Sequence, residues 1–438
     1  MELRTILIGP FLLLNVFACL VLLFSLRTWI HQPAARRWSS AFLLLAIILL
    51  NLPLLAFYAE WVDLQLIKYP SSFLQAAYLP SAAWLITLII FFLVAAPLFI
   101  VSGMAKGWQF LASRFRAGNQ SLETPAEIHS PSLTRRKFIA GSAGLLIPAI
   151  YGGAAYSVYG TLGDIDVSKE IEIPIPHLPR SLDGMTIVQV SDFHVGPYIR
   201  QSDLERVVQL VQPLRPDLIA LTGDLIDSRL FTLPEALNGL RKLQAPLGVF
   251  NVLGNHDIYA DSLSFTEEHR GGVKIVEGLD SIGIRTLRNE VVRIGSGQDQ
   301  LSLLGLDWLN SDPRNRNFYR YPIEQARNIL IGMAEQAGPE TPKVLLTHHP
   351  DMFTYAHPLG IGLSLAGHTH GGGQIVLGYI NGRPLGVSML RFRYLSGLYQ
   401  EQGCSLYVNR GIGFLGVPIR LNSPPEISRF KLVLSVPA

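Results

Sequence analysis

The sequence predicts two parts of different fold class: an all-α bundle of transmembrane helices, followed by a layered α/β domain. The chain of 438 residues is 49% hydrophobic and 16% charged, with a mean hydropathy of +0.30. This composition is too apolar for an ordinary soluble protein. Long uncharged runs fill the first 160 residues, whereas apolar strands alternate with helical segments from about residue 164 onward. Such alternation is typical of an α/β domain.

Four apolar runs in the first part are each about the length that crosses a bilayer, roughly twenty residues. Prolines interrupt all four, which membrane helices tolerate. The alternative is a set of buried helices in a large soluble core. Charges are confined to the segments between the runs, and this favours the membrane. The predicted transmembrane helices cover residues 6–26, 41–59, 83–101 and 138–159, within a domain of residues 1–160.

The distribution of charge predicts how these helices are oriented. Residues 1–160 carry 11 Lys and Arg against 5 Asp and Glu, a net charge of +6, whereas the remainder carries 25 against 28, a net charge of −3. The basic excess lies beside apolar runs, so it indicates membrane topology and no nucleic-acid partner is expected. The first and third segments that connect the predicted helices hold most of the basic residues, and these two segments are predicted to be cytoplasmic. The N-terminus and everything beyond residue 160 are then on the outer side of a cell membrane crossed several times.

The segment before the fourth helix contains Arg135 and Arg136 ahead of an apolar run. It resembles a twin-arginine export signal, placed internally, which makes the twin-arginine export machinery a predicted partner. The alternative is that the two arginines simply mark a cytoplasmic helix end. Both interpretations place the following domain outside the cytoplasm.

The second part, residues 165–438, is predicted to hold its site at the carboxyl ends of its strands. Five apolar strands end in polar residues: 186–194, 217–227, 249–257, 343–350 and 361–370. Helical spacing predicts helices at 202–211, 234–243 and 323–337, and further strands are predicted at 170–175, 283–286, 291–294, 301–306, 374–377, 405–408 and 427–434.

The strand ends supply seven candidate metal ligands. Cys19 and Cys404 lie far apart, so no disulfide framework or cysteine metal site is expected. Imidazoles, carboxylates and an amide suit Mn, Fe, Zn, Co or Ni. Seven ligands are too many for one small ion but fit two, which need a bridging carboxylate and can share a water that becomes an attacking hydroxide near neutral pH. The candidate ligands are Asp192, His194, Asp224, Asn255, His348, His368 and His370.

One of these ligands and two residues beside them have further predicted roles. Asp224 is the natural bridge because it follows a central strand. His256 follows Asn255 and is the candidate catalytic residue, which could protonate a leaving oxygen or stabilise a charged phosphoryl group. Asp257 either orients His256 or caps a turn.

In combination, Asp192-x-His194, Gly223-Asp224, Gly254-Asn255-His256-Asp257, His348 and Gly367-His368-x-His370 resemble the calcineurin-like metallophosphoesterases. The resemblance implies a four-layer α/β/β/α sandwich. It also implies one ion held by Asp192, His194, Asp224 and His370, and a second held by Asp224, Asn255, His348 and His368. His256 would be the acid or the transition-state residue.

The segments 175–184, 408–413 and 425–427 look like a bacterial membrane-linked branch of that family, which includes enzymes similar to UDP-2,3-diacylglucosamine pyrophosphohydrolases. His349 is a second histidine beside His348, and three glycines follow His370 where two are expected. Arg393, Arg410 and Arg420 are candidates for a phosphate contact.

These observations predict a membrane-anchored phosphoesterase with two divalent metal ions, acting on a phosphodiester or pyrophosphate in the bacterial cell envelope. Its location at a membrane favours a lipid-linked substrate. Two alternatives stay open: a non-catalytic membrane receptor or binding module, and a cytoplasm-facing enzyme similar to the UDP-diacylglucosamine pyrophosphohydrolases.

Overall fold

The structure is a computed structural model, and it describes residues 3–58, 79–92, 135–160, 164–261, 270–297, 299–309, 321–415 and 418–435. The chain divides into two units, Met1–Tyr159 and Gly160–Ala438. The second and third predicted connecting segments lie almost entirely outside the described residues.

The described part of the first unit contains four helices. Two of them are long and apolar enough to cross a membrane by length and composition, over Phe11–Trp29 and Pro33–Pro53, with mean hydropathies of 2.1 and 1.4. The other two contain shorter apolar stretches, and the predicted run 83–101 continues beyond the described residues. A bundle of four spanning helices therefore stays a prediction. The helices are α1 (Leu3–Trp29), α2 (Pro33–Tyr58), α3 (Leu79–Phe92) and α4 (Arg135–Gly160).

Helices α1, α3 and α4 share a small apolar cluster that includes Phe11, Trp84 and Ile147. The indole nitrogen of Trp84 donates a hydrogen bond of 2.9 Å to Oδ1 of Asn15. Both groups are buried, so each satisfies a polar atom that burial would otherwise leave unpaired.

The second unit contains two large mixed sheets and a two-stranded ribbon. In the seven-stranded sheet the order is β1-β15-β3-β4-β5-β6, with β2 also paired to β15; the six-stranded sheet has the order β13-β14-β10-β9-β8-β7; β11 and β12 form the ribbon. The strands are β1 (Asp166–Val167), β2 (Ile171–Ile175), β3 (Thr186–Val190), β4 (Leu218–Leu221), β5 (Val249–Asn251), β6 (Ile284–Thr286), β7 (Glu290–Ser296), β8 (Asp299–Leu306), β9 (Lys343–Thr347), β10 (Leu363–Ala366), β11 (Val376–Ile380), β12 (Arg383–Gly386), β13 (Gly397–Glu401), β14 (Cys404–Val408) and β15 (Glu426–Leu434).

In the described part of the second unit, six regular α-helices accompany these sheets, and a four-residue helical turn at His370–Gly373 contains the non-helical Gly371 and Gly372. Helix α9 has the predicted bounds, and α5 begins one residue before its predicted start. The sequence patterns did not predict α8, and of the ribbon they predicted only the first residues, within the strand at 374–377. The helices are α5 (Gln201–Val211), α6 (Leu233–Leu240), α7 (Asn255–Ile258), α8 (Arg270–Ser281), α9 (Ile323–Ala337) and α10 (Phe353–Ala356).

Parallel pairing gathers the predicted polar strand ends. Strands β3, β4 and β5 are parallel neighbours, and so are β9 and β10 in the other sheet. These strands are buried on both faces, which explains why they appear in the sequence as continuous apolar runs. Their carboxyl ends therefore lie at common edges, as predicted.

Each central strand contributes alternate residues to two apolar clusters. Val188 and Val190 belong to a cluster that includes helices, whereas Ile187 belongs to a second cluster. That second cluster unites strands of both sheets, with Leu218 and Phe250 from one and Val344 and Leu365 from the other among its buried members. The two sheets thus pack on each other, and the predicted α/β class is confirmed.

Candidate metal centre

Five of the seven predicted ligands have a left-handed backbone. The φ angles are +51° at Asp192, +47° at His194, +56° at Asp224, +73° at His368 and +48° at His370. A residue other than glycine in such a conformation costs about 1–3 kcal/mol, and it persists only where its surroundings hold it. Here the backbone N–H groups of Asp192 and His194 donate to the carbonyls of Gly223 and Asp224, each over 3.0 Å.

One group of possible ligand atoms comes from Asp192, His194 and His370, which are all buried and whose atoms lie within 4.8 Å of one another. Nε2 of His194 is 3.1 Å from Nε2 of His370. Nε2 of His370 is 3.5 Å from Oδ1 of Asp192. The backbone of His368 holds this carboxylate in place by donating to both of its oxygens, over 3.0 and 3.1 Å.

A second group comes from Asp224, His348 and His368, again within 4.8 Å. Nε2 of His348 is 3.1 Å from Oδ2 of Asp224 and 3.1 Å from Nδ1 of His368. The same carboxylate oxygen is 3.6 Å from Nε2 of His194. Asp224 therefore lies between the two groups, where a bridging carboxylate would have to lie.

The side chain of Asn255 also fits a metal ligand. It follows Gly254 at the start of α7, and its Oδ1 atom is buried without a hydrogen-bond partner. A buried acceptor with no partner is uncommon and costs free energy. A cation would satisfy it.

The protonation of three of the four candidate histidine ligands suits the same interpretation; the exception is His348, whose pKa the carboxylate of Asp224 raises to about 9. Burial, followed by the positive charge of neighbouring groups, lowers the pKa of His194 to about 3 and lowers the pKa values of His368 and His370 well below the ordinary value. These imidazoles are therefore neutral at pH 7, as metal ligands have to be. Burial opposes ionisation of Asp224, but His348, His256 and His194 hold the pKa of its carboxyl well below its usual range.

Groups behind the ligands help to set their orientation. Nδ1 of His348 is 2.6 Å from the carbonyl oxygen of Thr222, so this nitrogen donates and Nε2 is left to face Asp224. Oδ1 of Asp227 lies 3.8 Å from Nδ1 of His194, which is beyond hydrogen-bond distance, so this nitrogen is buried without a hydrogen bond. A carboxylate or carbonyl behind a histidine is the usual second layer of a metal site.

Comparison with known proteins agrees with this geometry. The profile of the calcineurin-like phosphoesterase family matches residues 185–372. The chain is 30% identical over 317 residues to an uncharacterised metallophosphoesterase, YkuE, of Bacillus subtilis, an alignment that covers 68% of this chain and 98% of that protein. The chain belongs to the calcineurin-like phosphoesterase family.

Two vertebrate members of the family are named transmembrane protein with metallophosphoesterase domain. The protein from Danio rerio is 32% identical over 306 residues, which is 67% of this chain and 64% of that protein. The protein from Bos taurus is 29% identical over 416 residues, which is 92% of this chain and 83% of that protein. The chain thus spans a little under two thirds of the zebrafish relative, and its relatives include animal as well as bacterial proteins.

His256 lies against the first ligand group. Its backbone N–H donates 2.9 Å to Oδ1 of Asp224, and its Nδ1 makes a short hydrogen bond to the carbonyl oxygen of Asp227. Its ring meets the ring of His194 edge-on, with centroids 4.6 Å apart. Burial lowers the pKa of His256, but Asp224 and Asp227 outweigh burial and raise it. His256 is thus suited to hold a proton.

Asp257 caps a turn and does not orient His256. Its carboxylate accepts hydrogen bonds from the backbone N–H groups of Asp224 and Leu225, both over 2.8 Å, and of Gly254 over 2.9 Å. The capping alternative was therefore correct. Asp257 holds the turn that carries Asp224.

His349 belongs to neither ligand group. Its ring stacks on Tyr321 with centroids 4.5 Å apart and meets Phe392 at 5.3 Å. The ring of Trp308 lies 5.0 Å from that of His368. These rings form an aromatic wall beside the second group, and the sequence patterns did not predict it because the residues are scattered along the chain.

The three arginines proposed as phosphate contacts have other partners. Arg420 is fully buried, donates to the carbonyls of Gly413, Arg410 and Ser423, and places Nη2 3.2 Å from Nδ1 of His370. Arg410 forms ion pairs with Asp166 at 2.6 Å and Glu426 at 2.5 Å. Arg393 pairs with Glu401 at 3.2 Å. Carbonyls and carboxylates of the fold therefore already use these guanidinium groups, and a phosphate contact by any of the three stays a prediction.

Proposed function

We propose that this chain is a membrane-anchored, metal-dependent phosphoesterase that hydrolyses a phosphodiester or pyrophosphate bond in a lipid-linked substrate. One observation carries the proposal: the Asp224 carboxylate lies between two groups of buried imidazoles, 3.6 Å from His194 and 3.1 Å from His348. Membership of the family supports the reaction class. The proposed membrane location favours a lipid-linked substrate, because anchoring shortens the search for one.

The ligand assignment that we propose follows the two groups. Asp192, His194, Asp224 and His370 hold one divalent ion. A second ion takes Asp224, Asn255, His348 and His368. The orphaned oxygen of Asn255 supports its place in the second set. Nitrogen and oxygen ligands admit Mn, Fe, Zn, Co or Ni.

When bound, the two cations supply Lewis-acid charge that neutralises phosphate oxygens and lowers the pKa of water. Residues of the chain itself position the reacting groups and supply a proton to the leaving oxygen. Asp257 fixes the turn of Asp224, and the carbonyl of Asp227 fixes the ring of His256 through Nδ1. The Nε2 atom of His256 then holds the proton that the leaving oxygen needs, and its raised pKa favours the protonated form at neutral pH.

The test is Mn²⁺-dependent hydrolysis of bis-p-nitrophenyl phosphate by the purified full chain in detergent. We expect His370→Ala and Asn255→Ala each to lower kcat at least about 100-fold, since each removes a ligand. His177→Asn is the control, because His177 is half-exposed, pairs with Glu340 and has a left-handed backbone that Asn tolerates.

Retention of activity in both ligand variants would refute the site. A native chain that binds two Mn²⁺ ions but hydrolyses nothing with any of the five metals would instead indicate the non-catalytic binding module.

We also propose that the sandwich has four layers, α/β/β/α. The cluster that joins the two sheets contains no residue of α5 to α10, whereas the other cluster contains residues of α5, α6, α8 and α9. This division supports helices on the outer face of each sheet.

For the first unit we propose four spanning helices, with the phosphoesterase domain outside the cytoplasm and Arg135-Arg136 acting as an export signal. Two apolar helices, the basic charge of residues 1–160 and the names of the vertebrate relatives support the membrane.

Protease added to spheroplasts of an expressing bacterium tests the orientation. We expect digestion of the segment beyond residue 160 from outside, because the basic segments before it should stay in the cytoplasm. Protection of that segment would indicate the cytoplasm-facing enzyme. Export that persists when Arg135 and Arg136 are both changed to Lys would remove the export signal from the proposal.

A further inference from the structure

The ribbon β11–β12 and the turn after it expose an unusual number of large apolar side chains. We call residues 376–390 the apolar hairpin. Solvent reaches about half or more of six of its side chains: Leu377 (54%), Tyr379 (55%), Ile380 (58%), Val387 (78%), Met389 (47%) and Leu390 (87%). Single exposed apolar residues are ordinary, but a concentration of them marks an interaction surface.

The charge of the same region is entirely positive. Residues 374–400 contain three arginines, Arg383, Arg391 and Arg393, and no Asp or Glu, although the chain beyond residue 160 has a net charge of −3. Glu401, the next residue, pairs with Arg393, which leaves Arg383 and Arg391 as the positive charges of the region. The guanidinium of Arg383 donates to the carbonyl of Arg393 over 2.9 Å, which holds two of the arginines together. Leucine, isoleucine and tyrosine beside arginine are the composition of segments that rest in the interface of an anionic bilayer.

The base of the hairpin is firmly attached to the domain. The backbone N–H of Val376 donates to the carbonyl of Leu421 over 2.9 Å, and Nδ2 of Asn422 donates to the carbonyl of Val376 over 2.9 Å. The hydroxyl of Tyr379 donates to the carbonyl of Asn422, also over 2.9 Å. The apolar side chains therefore project from a fixed support.

The hairpin also rests directly on the turn that follows His370. Gly371, Gly372 and Gly373 all have positive φ angles. A Cβ atom on Gly372 would lie 3.3 Å from Cβ of Pro384, and one on Gly373 would lie 3.1 Å from Oγ of Ser388. The third glycine, unexpected from the sequence, thus lets the hairpin pack against the ligand turn.

We propose that the apolar hairpin docks on the surface of a bilayer that contains anionic phospholipid. Its apolar side chains enter the interface, Arg383 and Arg391 contact the headgroups, and the adjoining turn of His370 brings the candidate metal centre to the bilayer surface. A second copy of the chain is a poorer occupant, because a symmetric contact would bring two clusters of arginine together.

Quenching of a fluorescent label on the hairpin by nitroxide-labelled lipid tests the docking, and it does not depend on enzymatic activity. The full chain carrying Cys19→Ser, with Cys404 left in place because it is buried, is labelled with an NBD fluorophore at Leu390→Cys. It is reconstituted in phosphatidylcholine–phosphatidylglycerol vesicles with nitroxide-labelled lipid. Val273→Cys is the control, since Val273 is an exposed apolar residue (46%) on α8.

We expect the label at position 390 to be quenched at least about twofold more strongly than the label at 273, because only the hairpin enters the interface. Equal quenching at the two positions overturns the proposal. So does weak quenching at 390 combined with energy transfer between labelled copies, which would identify a second chain as the occupant.

A second experiment rests on the proposed function, because it measures hydrolysis. Val387→Asp together with Leu390→Asp should raise KM about tenfold for phosphatidyl-p-nitrophenol in vesicles, since charged side chains oppose insertion. Hydrolysis of soluble bis-p-nitrophenyl phosphate should not change, and Val273→Asp should alter neither reaction. An equal loss on both substrates contradicts a docking role. A native chain that hydrolyses neither refutes the proposed activity, and the quenching experiment then decides the docking alone.

Discussion

Two adjacent histidines at the end of β9 have different surroundings: His348 lies in the candidate metal centre, and His349 packs among aromatic rings. His348 faces Asp224, whose carboxylate outweighs the effect of burial and raises the pKa of His348 to about 9. His349 turns into the aromatic wall, where burial above all lowers its pKa to about 3. The sequence alone could not choose between them, because both follow β9 and only the packing of the second sheet decides which one faces the site.

The pKa of His349 predicts a dependence of stability on pH. The folded state favours the neutral ring, whereas in the unfolded chain the pKa is about 6.5. Stability from this group is therefore complete above about pH 6.5 and is lost as the pH falls toward 3, by about 1.4 kcal/mol per pH unit. Lowering the pH from 7 to 5 should cost about 2 kcal/mol through His349.

Thermal unfolding of the full chain in detergent at pH 7 and pH 5, beside His349→Gln, measures this contribution. Glutamine keeps an acceptor for the backbone N–H of Asp351, which donates to Nδ1 of His349 over 3.3 Å. The variant should lose less stability on acidification than the native chain. Equal losses would show that His349 is protonated in the folded state.

At the scale of elements, a glycine at each of three strand ends leaves space for a candidate ligand that follows a different strand. Gly223 precedes Asp224 but faces His348; a Cβ atom there would lie 2.6 Å from Nδ1 of that ring. Gly254 precedes Asn255 but faces Asp224, and Gly367 precedes His368 but faces Asp192. The glycine of each motif therefore makes room for the ligand of another motif.

Gly254→Ala should consequently damage the centre without removing any ligand. The new Cβ atom would lie 2.7 Å from Cγ of Asp224, well inside normal contact. We expect Asp224 to move, at a cost of about 1–3 kcal/mol in stability, with bound Mn²⁺ falling from two ions toward one. Metal analysis of the dialysed protein provides the measurement.

Gly332→Ala is the matched control, because no atom would lie within 4 Å of its Cβ atom and it belongs to α9. Replacing an interior helical glycine with alanine should stabilise the chain by up to about 1 kcal/mol. Two Mn²⁺ ions retained in Gly254→Ala would mean that the centre tolerates the displacement.

The elements that the sequence predicted best are those that obey a simple pattern. Buried parallel strands produce apolar runs, and α9 keeps its helical spacing over 15 residues. The apolar hairpin was missed beyond its first residues because exposed Leu377, Ile380 and Leu390 contradict the rule that apolar side chains are buried. The burial of Arg420 was not predicted for the opposite reason, since a charged residue in a loop gives no sign that four of its N–H donors will meet carbonyls of the fold.

At the scale of the whole domain, the candidate ligands come from both sheets. Asp192, Asp224 and Asn255 follow strands of the seven-stranded sheet, whereas His348 and His370 follow strands of the other. Bound ions would therefore connect the two sheets as well as complete a reaction centre. The family resemblance predicted this set of residues, but spacing in the sequence could not, because it does not reveal which strand ends meet.

Metal removal should accordingly lower the stability of the chain. An ion that binds only the folded state stabilises it by about 2.7 kcal/mol at 100 times its Kd. Dialysis against EDTA should lower the Tm, and Mn²⁺ should restore it. In His370→Ala, Mn²⁺ should produce a smaller increase. Identical increases in the two proteins would place the bound metal elsewhere.

The position of β15 bears on how this domain is synthesised. β15 lies beside β3 and also pairs with β1 and β2, so residues 426–434 complete the interior of the seven-stranded sheet. β3, which leads into Asp192, keeps one edge unpaired while the ribosome is still making the intervening segments. An exposed strand edge is a template for wrong pairing. A nascent chain of this protein therefore carries an unfinished sheet from the synthesis of Val190 until the synthesis of Glu426, and a chaperone that covers β3 has all of that time to act.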